Sequence, residues 1–197
     1  MATLKSLLTS SLLALTMACG AALATPITYH VDLTTKSFAA EGSGYLELSL
    51  AGPGTGVPAS AFISKLTGVG SDTALFGDAT AAGNAFTLRA PDAALWQAVT
   101  FGGLLGFDLT LDLGDEGNDG SRFSVAFLNQ DQTAYLTGSV VQIDLFAGAA
   151  PQIQGSDIAH ITEGAGGGNT DVPEPADWAL VMTGLGLMGL MQRRRMR

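Results

Sequence analysis

A strict alternation of apolar and polar residues, repeated in several short segments, constrains the fold of this chain more than any other feature. In residues 107–113, apolar side chains occupy every second position, and Asp108, Thr110 and Asp112 lie between them. This period of two places the apolar side chains on one face of a strand and the polar ones on the other. Similar alternation occurs, in chain order, at residues 29–34, 46–50, 123–127 and 141–145. The pattern is typical of antiparallel sheets that cover a core with one face and meet water with the other.

Weaker strands are predicted at residues 61–69, 85–89 and 96–101, and clusters of Gly, Pro, Asp and Ser separate the segments as turns. About eight short strands with this spacing predict an all-β domain, a single antiparallel β-sandwich that is jelly-roll-like. Within it, we expect one helical turn at residues 90–96. We also expect a hairpin that joins 106–113 to 122–128.

Composition divides the chain into four parts. Residues 1–24 predict a signal peptide, 25–154 the β-sandwich domain, 155–171 a flexible glycine-rich linker, and 172–197 a C-terminal tail. The linker prediction depends on the loss of alternation after residue 154 and on the glycines that follow.

The first 24 residues have the organisation of an export signal. An apolar segment follows Lys5, and Ala22 and Ala24 supply the small residues that signal peptidase recognises, so we expect cleavage before Thr25. Cys19 is the only cysteine in the sequence, and an acylated lipoprotein cysteine is the alternative interpretation of this segment. Cleavage after Ala24 leaves no cysteine in the exported part, which excludes disulfides, thiol catalysis and cysteine-ligated metal there.

The tail combines a rigid polar segment, an apolar run and a basic cluster. Pro173 and Pro175 fix the backbone φ angle and lack amide hydrogens, so a helix can begin only after them. Residues 178–191 carry no charge and predict a single transmembrane helix near the lower length limit for a span. The basic cluster that ends the span consists of Arg193, Arg194 and Arg195. Such a cluster is expected on the cytoplasmic side, which places the rest of the chain outside. A buried core helix is the alternative for so short a run.

The order of these three parts resembles the PEP-CTERM sorting domain of Gram-negative bacteria. The resemblance covers residues 172–197, and its recognition motif corresponds to Val172, Pro173, Glu174 and Pro175. It implies that an exosortase, a membrane-embedded processing enzyme, recognises the motif as a substrate. It also implies an inner-membrane intermediate, followed by delivery to the cell surface or to an extracellular polysaccharide matrix.

The exported part is strongly acidic. Between Thr25 and Val172 the sequence has four basic and sixteen acidic residues, a formal net charge of −12. Such a surface repels phosphate backbones, so we expect no nucleic-acid partner. Solubility through self-repulsion is a sufficient explanation of the acidity.

One acidic segment is a candidate calcium site. Its oxygen-bearing residues are Asp112, Asp115, Glu116, Asn118 and Asp119, interspersed with glycines. Calcium takes six to eight oxygen ligands, which flexible acidic loops can provide. The spacing does not match an EF-hand, because position 12 of a loop that begins at Asp115 is Ala126, where a glutamate is required. A solvated turn is the alternative.

No catalytic motif accompanies the two histidines, His30 and His160. The sequence lacks both the Gly-x-Ser-x-Gly elbow and the zincin spacing. Four aromatic residues could stack on sugar rings if they are exposed: Tyr29, Tyr45, Trp96 and Tyr135.

These patterns together predict a non-enzymatic, exported surface or extracellular-matrix protein. A carbohydrate-binding module for extracellular polysaccharide is the first alternative, and an exposed row of aromatic side chains on one sheet would favour it. A glycan-acting hydrolase is the second, and it requires a cleft with two carboxylates at a fixed separation.

Overall fold

The computed structural model describes residues 26–53, 58–113, 120–146 and 149–164. Within these ranges the chain forms ten strands and one 3-10 helix, Lys36–Glu41. The strands are β1 (Ile27–Thr34), β2 (Ser43–Ala51), β3 (Ser60–Thr67), β4 (Val69–Ala82), β5 (Ala85–Thr100), β6 (Leu104–Asp112), β7 (Ser121–Asn129), β8 (Val141–Leu145), β9 (Gln152–Gly155) and β10 (Ala159–Glu163). None of the helical structure in the described ranges is long and apolar enough to cross a membrane. The predicted signal peptide and tail, with its apolar run, lie outside the described residues.

The strands form one antiparallel sheet. Their order is β10-β1-β6-β3-β5-β2-β7-β8-β9, and β4 lies off this path and pairs with β5. The end strands β9 and β10 approach each other, so the sheet is nearly closed and barrel-like. The predicted all-β, antiparallel domain is confirmed, and hydrogen bonds connect its strands into one continuous curled sheet.

One hydrophobic core fills the interior of this sheet. In β2, Leu46, Leu48 and Leu50 are fully buried, whereas Glu47 and Ser49 between them lie on the outer face. The other strands, apart from β4, β9 and β10, contribute buried apolar side chains in the same way. Burying each large aliphatic side chain contributes about 1.5–3 kcal/mol, so the alternation in sequence directly determines which face is inside.

The long strand β5 changes neighbours halfway along its length. Its first part, up to Arg89, pairs with β3, and its second part, from Asp92, pairs with β2. The buried positions shift in phase between Ala90 and Ala93, so both parts face the same core. The helical turn predicted at 90–96 is therefore wrong, because this segment pairs with neighbouring strands on both sides.

The predicted hairpin between the strands at 106–113 and 122–128 is also wrong. β6 pairs with β1 and β3, whereas β7 pairs with β2 and β8. Alternation fixes the buried face of a strand but not the identity of its neighbours. Strands that follow each other in sequence are often adjacent in a sheet, but not always.

Three strands lack the buried alternation that made the others recognisable. β4 is exposed along most of its length, and all four residues of β9 are exposed. β10 pairs with β1 and places Glu163 opposite Tyr29. The sheet thus continues beyond residue 154, where the loss of alternation in the sequence predicted the end of the domain.

Candidate functional site

The outer face of β2, β5 and β7 carries polar and aromatic side chains centred on Glu47. Glu47 lies directly opposite Trp96 in β5 and opposite Ala126 in β7. Directly paired residues of antiparallel strands share a face and lie close enough to interact. Leu46 and Leu48 are fully buried on either side, so the Glu47 side chain points away from the core.

An open pocket of about 600 Å³ lies over this part of the sheet. We call it the Glu47 pocket, and its lining residues are Glu47, Ser49, Ser124, Ala126, Tyr135, Thr137, Gly138 and Ser139. The hydroxyl oxygens of Ser49 and Ser124, in neighbouring strands, are 2.9 Å apart. All but two of the lining residues carry a hydroxyl or a carboxylate, so the pocket is rich in hydrogen-bonding groups.

Two polar atoms on this face are shielded from water and have no hydrogen-bond partner. They are Oε2 of Glu47, an acceptor, and Nε1 of Trp96, a donor. An unsatisfied buried group costs about 1–3 kcal/mol, and more when it is charged. Proteins satisfy most buried polar groups, so an unpaired acceptor and an unpaired donor on directly opposed residues require an explanation.

Tyr135 lines the same pocket from the segment between β7 and β8. Its side chain is 59 % exposed, and Tyr135 forms an isolated bridge with Leu128 of β7. A hydrogen bond to Glu47 raises the pKa of the Tyr135 hydroxyl above its usual value, and partial burial and the carboxylate charge act in the same direction. Glu47 is thus flanked by Tyr135 on one side and by Trp96 on the other.

The segment that carries Tyr135 is held in place by Asn129. The Asn129 side-chain oxygen accepts hydrogen bonds from the backbone N–H groups of Thr133 and Ala134, at 2.9 and 3.1 Å. Farther along, the N–H of Leu136 donates to the carbonyl of Phe127 at 2.9 Å. Tyr135 lies between these attachments, so its position over the pocket is fixed on both sides.

An aromatic pair continues the site onto the edge of the sheet. Phe76 of β4 and Trp96 of β5 have ring centroids 4.7 Å apart in a tilted arrangement. Phe76 is 45 % exposed. Phe76, Trp96, Glu47 and Tyr135 therefore form a row that crosses several neighbouring strands.

A buried glutamine anchors the beginning of β4 beside this row. The Gln97 amide nitrogen donates to the carbonyls of Gly70 and Asp72, at 2.6 and 3.0 Å. Its side-chain oxygen accepts a hydrogen bond from the Thr73 hydroxyl at 2.7 Å. Because Gln97 belongs to β5, these bonds fix the two strands that carry Phe76 and Trp96 relative to each other.

A second group of charged side chains lies on the outer face of β1, β3 and β6. We call His30, Asp32, Lys65 and Asp108 the His30 cluster. One oxygen of Asp108 is 2.6 Å from Nδ1 of His30, and the other is 2.7 Å from Nζ of Lys65. His30 Nε2 also lies 3.4 Å from Asp32. Lys65 has a φ of 51° within a register shift of β3, and such a bulge re-aims the side chain.

The pKa values within the His30 cluster follow from these contacts. The hydrogen bond from Lys65 is the largest cause that lowers the pKa of Asp108, and the hydrogen bond to His30 acts in the same direction. The hydrogen bond to Asp108 is the largest cause that raises the pKa of His30. His160 lies opposite Asp32 on β10, so the sheet brings both histidines to one face. Among the described residues, no group of three or more acidic, histidine or cysteine side chains is arranged to hold a metal.

Most of the site residues predicted from sequence lie outside the described ranges. Asp112 ends β6, opposite Ser60, and is exposed. The other four candidate calcium ligands, the sorting motif, the arginine cluster and the signal cleavage site all lie outside the described residues.

The four aromatic residues that could stack on sugar rings if exposed have different environments. Trp96 and Tyr135 belong to the row described above, whereas Tyr29 is buried. The Tyr45 hydroxyl donates to Asp72 at 2.8 Å. The sequence did not identify Glu47 or Phe76 as candidate site residues. A single acid between two leucines, such as Glu47, resembles any polar outer position of a strand.

Comparisons of this chain with known protein families, with curated proteins and with solved structures find no match. Its function is therefore inferred from its sequence patterns and from the geometry of its β domain. The Glu47 pocket is the principal candidate site, because it combines a cavity, the exposed ring of Tyr135 and a carboxylate, with the aromatic pair of Trp96 and Phe76 beside it.

Proposed function

We propose that this chain is an exported, non-enzymatic surface or extracellular-matrix protein of a Gram-negative bacterium, sorted through its tail. The observation that carries the proposal is the succession of three sequence features in the tail: a Pro-Glu-Pro motif at 173–175, the apolar run 178–191, and three consecutive arginines at 193–195. Signal peptidase acts first, at Ala24–Thr25. An exosortase then recognises the motif while the apolar run holds the chain in the inner membrane.

The β domain is the part that this route delivers. Its described part is one antiparallel, nearly closed sheet, in which the first half of β5 pairs with β3 and the second half pairs with β2 around a single core. Its outer faces carry the polar positions of each strand, which suits a domain displayed in water.

The sorting proposal is tested by changing the recognition motif in the native host. Pro173→Ala combined with Pro175→Ala should leave the protein in the inner membrane with its tail intact. The unchanged protein should reach the surface or medium with a shortened C-terminus, as measured by fractionation and mass spectrometry. Pro151→Ala, a proline outside the tail, is the matched control and should sort normally. Equal sorting of the double variant, or recovery of the unchanged protein from the cytosol with both ends intact, contradicts the proposal.

Carbohydrate binding is the second candidate, and the exposed aromatic side chains in and beside the Glu47 pocket favour it. Phe76 and Tyr135 are 45 % and 59 % exposed, and both lie beside Trp96 or Glu47. A glycan-acting hydrolase requires two carboxylates in one cleft, and Glu47 is the one carboxylate among the lining residues of this pocket.

A further inference from the structure

We infer that the Glu47 pocket binds the sugar units of a neutral polysaccharide, with the Glu47 carboxylate and the aromatic side chains beside it as the recognition elements. The inference rests on the second candidate function, carbohydrate binding, and deepens it by naming the class of ligand and the residues that recognise it. It concerns the β domain of the purified protein, so a failure of the sorting proposal leaves it standing, and the reverse also holds.

The polar groups of the pocket match the chemistry of a sugar hydroxyl. A hydroxyl donates one hydrogen bond and accepts others, so it can donate to the Glu47 carboxylate or to the Tyr135 hydroxyl oxygen, and both residues line the pocket. Neighbouring hydroxyls of one ring can serve both. Because Glu47 and Tyr135 are hydrogen-bonded to each other, both lie within the span of a single sugar unit.

The remaining lining suits the same ligand. Ser49, Ser124, Thr137 and Ser139 add hydroxyl groups that can both donate and accept. The exposed ring of Tyr135 in the pocket, and that of Phe76 against Trp96 beside it, offer flat apolar surfaces. A hexose has polar edges and apolar C–H faces, so it requires this mixture of hydrogen-bonding groups and aromatic surface.

The charge of the domain limits the class of polysaccharide. The part of the chain between Thr25 and Val172 carries a formal net charge of −12, and the carboxylate of the pocket is itself an anion. Lysine and arginine are absent from the lining residues of the pocket. An acidic polysaccharide would bring further negative charge to this face, so the fitting ligand is neutral.

Affinity electrophoresis of the full-length protein, purified in detergent, tests the inference. The probes are three soluble neutral polysaccharides (dextran, laminarin and galactomannan) and one acidic polysaccharide, alginate. At least one neutral probe should retard the protein, and alginate should not. Tyr135→Ala and Glu47→Gln should each weaken the retardation about tenfold or more, the loss expected when a hydrogen-bonded contact is removed.

Matched variants separate loss of binding from loss of folding. Phe62 on β3 is 43 % exposed, close to the exposure of Phe76, so Phe62→Ala is the control for Phe76→Ala. Glu163→Gln on β10 is the control for Glu47→Gln. Both controls should bind like the unchanged protein, and unchanged urea denaturation should show that Glu47→Gln folds.

Three results would overturn the inference. One is the absence of retardation by all three neutral probes. Another is retardation by alginate alone. The third is retardation by a neutral probe that Phe76→Ala, Tyr135→Ala and Glu47→Gln weaken no more than their controls do, which would place the binding surface elsewhere.

Discussion

The Glu47 pocket and the His30 cluster each contain a central carboxylate on the outer face of the same sheet, but the two carboxylates differ in their hydrogen-bond partners. In the His30 cluster both oxygens of Asp108 have partners, Lys65 and His30, at 2.7 and 2.6 Å. In the Glu47 pocket, Oε2 of Glu47 has no partner, and neither does the indole nitrogen of Trp96, the residue opposite Glu47 in β5.

The difference separates a stabilising arrangement from a binding one. Charges that are paired within the protein have satisfied their hydrogen-bonding capacity and contribute modestly to stability. Unpaired groups lower stability until another molecule completes them, because their interactions with water are lost without replacement. We therefore interpret the His30 cluster as structural and the Glu47 pocket as the place where a ligand adds its own hydrogen bonds.

The largest expected effect tests whether the two regions share one core. Leu48 lies beside Glu47 in β2, Leu109 lies beside Asp108 in β6, and both are fully buried. Leu48→Ala and Leu109→Ala should each lower the free energy of unfolding by about 2–5 kcal/mol. Urea denaturation should show lower midpoints with unchanged slopes. A large loss for one variant and none for the other would mean that the two regions do not depend on a common core.

A smaller effect is expected from the support of Tyr135. Asn129→Ala removes the acceptor for the N–H groups of Thr133 and Ala134, and should cost about 0.5–1.5 kcal/mol because water can replace part of the contact. It should also weaken polysaccharide retardation, because Tyr135 loses its fixed position. Asn84→Ala, in the turn between β4 and β5, is the control and should change stability by less than about 0.5 kcal/mol. Retardation that survives Asn129→Ala would show that the position of Tyr135 does not matter.

The two carboxylates should respond in opposite directions when they are neutralised. Asp108→Asn removes ion pairs with Lys65 and His30 and should destabilise the protein by about 0.5–1 kcal/mol. Glu47→Gln removes a charge that is shielded from water at an unpaired oxygen, and should leave stability unchanged or raise it by up to about 1 kcal/mol. Equal losses in urea denaturation would remove the distinction between the two regions.

The smallest effect is the pH dependence of the His30 cluster. The pKa of His30 is raised above its ordinary value of 6.5, so its contribution is fully present below that value and is lost as pH rises through the folded pKa. The pKa of Asp108 is lowered below 3.8, so its contribution is present above that value and is lost as pH falls through the folded pKa. The difference in free energy of unfolding between the unchanged protein and His30→Ala should therefore be larger at about pH 5 than at about pH 9. The change between the two pH values should be less than about 1 kcal/mol, because His30 is half-exposed. In the Asp108→Asn background this difference should shrink, because Asp32 still lies 3.4 Å from His30, and an undiminished difference would assign the effect to another group.

The sequence predicted the core strands because their period reflects burial, which is a local property of each segment. Leu46, Leu48 and Leu50 needed no knowledge of their neighbours to be placed inside. The segment that includes Pro91 was misassigned, because its conformation depends on pairing with β2 and β4 and not on its local composition. β4 was not predicted as a strand, because an exposed edge strand has no apolar face to reveal it.

The candidate site could be predicted only in part for the same reason. Trp96 and Tyr135 were recognisable as residue types that contact sugars, but Glu47 gains its role from residues that are distant in the sequence. The register of β2 against β5 brings Glu47 to Trp96, and the bridge from Leu128 brings Tyr135 over the pocket. The hydropathy pattern of a strand does not determine which residues of another strand lie opposite it.

Thermal unfolding with and without a neutral polysaccharide tests most directly whether the Glu47 pocket is completed by a ligand. A ligand at about 100 times its dissociation constant adds about 2.7 kcal/mol of stability to the folded state. The probe identified by electrophoresis should therefore raise the Tm of the unchanged protein and of Asp108→Asn by several degrees, and should leave the Tm of Glu47→Gln nearly unchanged. An equal rise in Glu47→Gln, or no rise in the unchanged protein, would contradict the account.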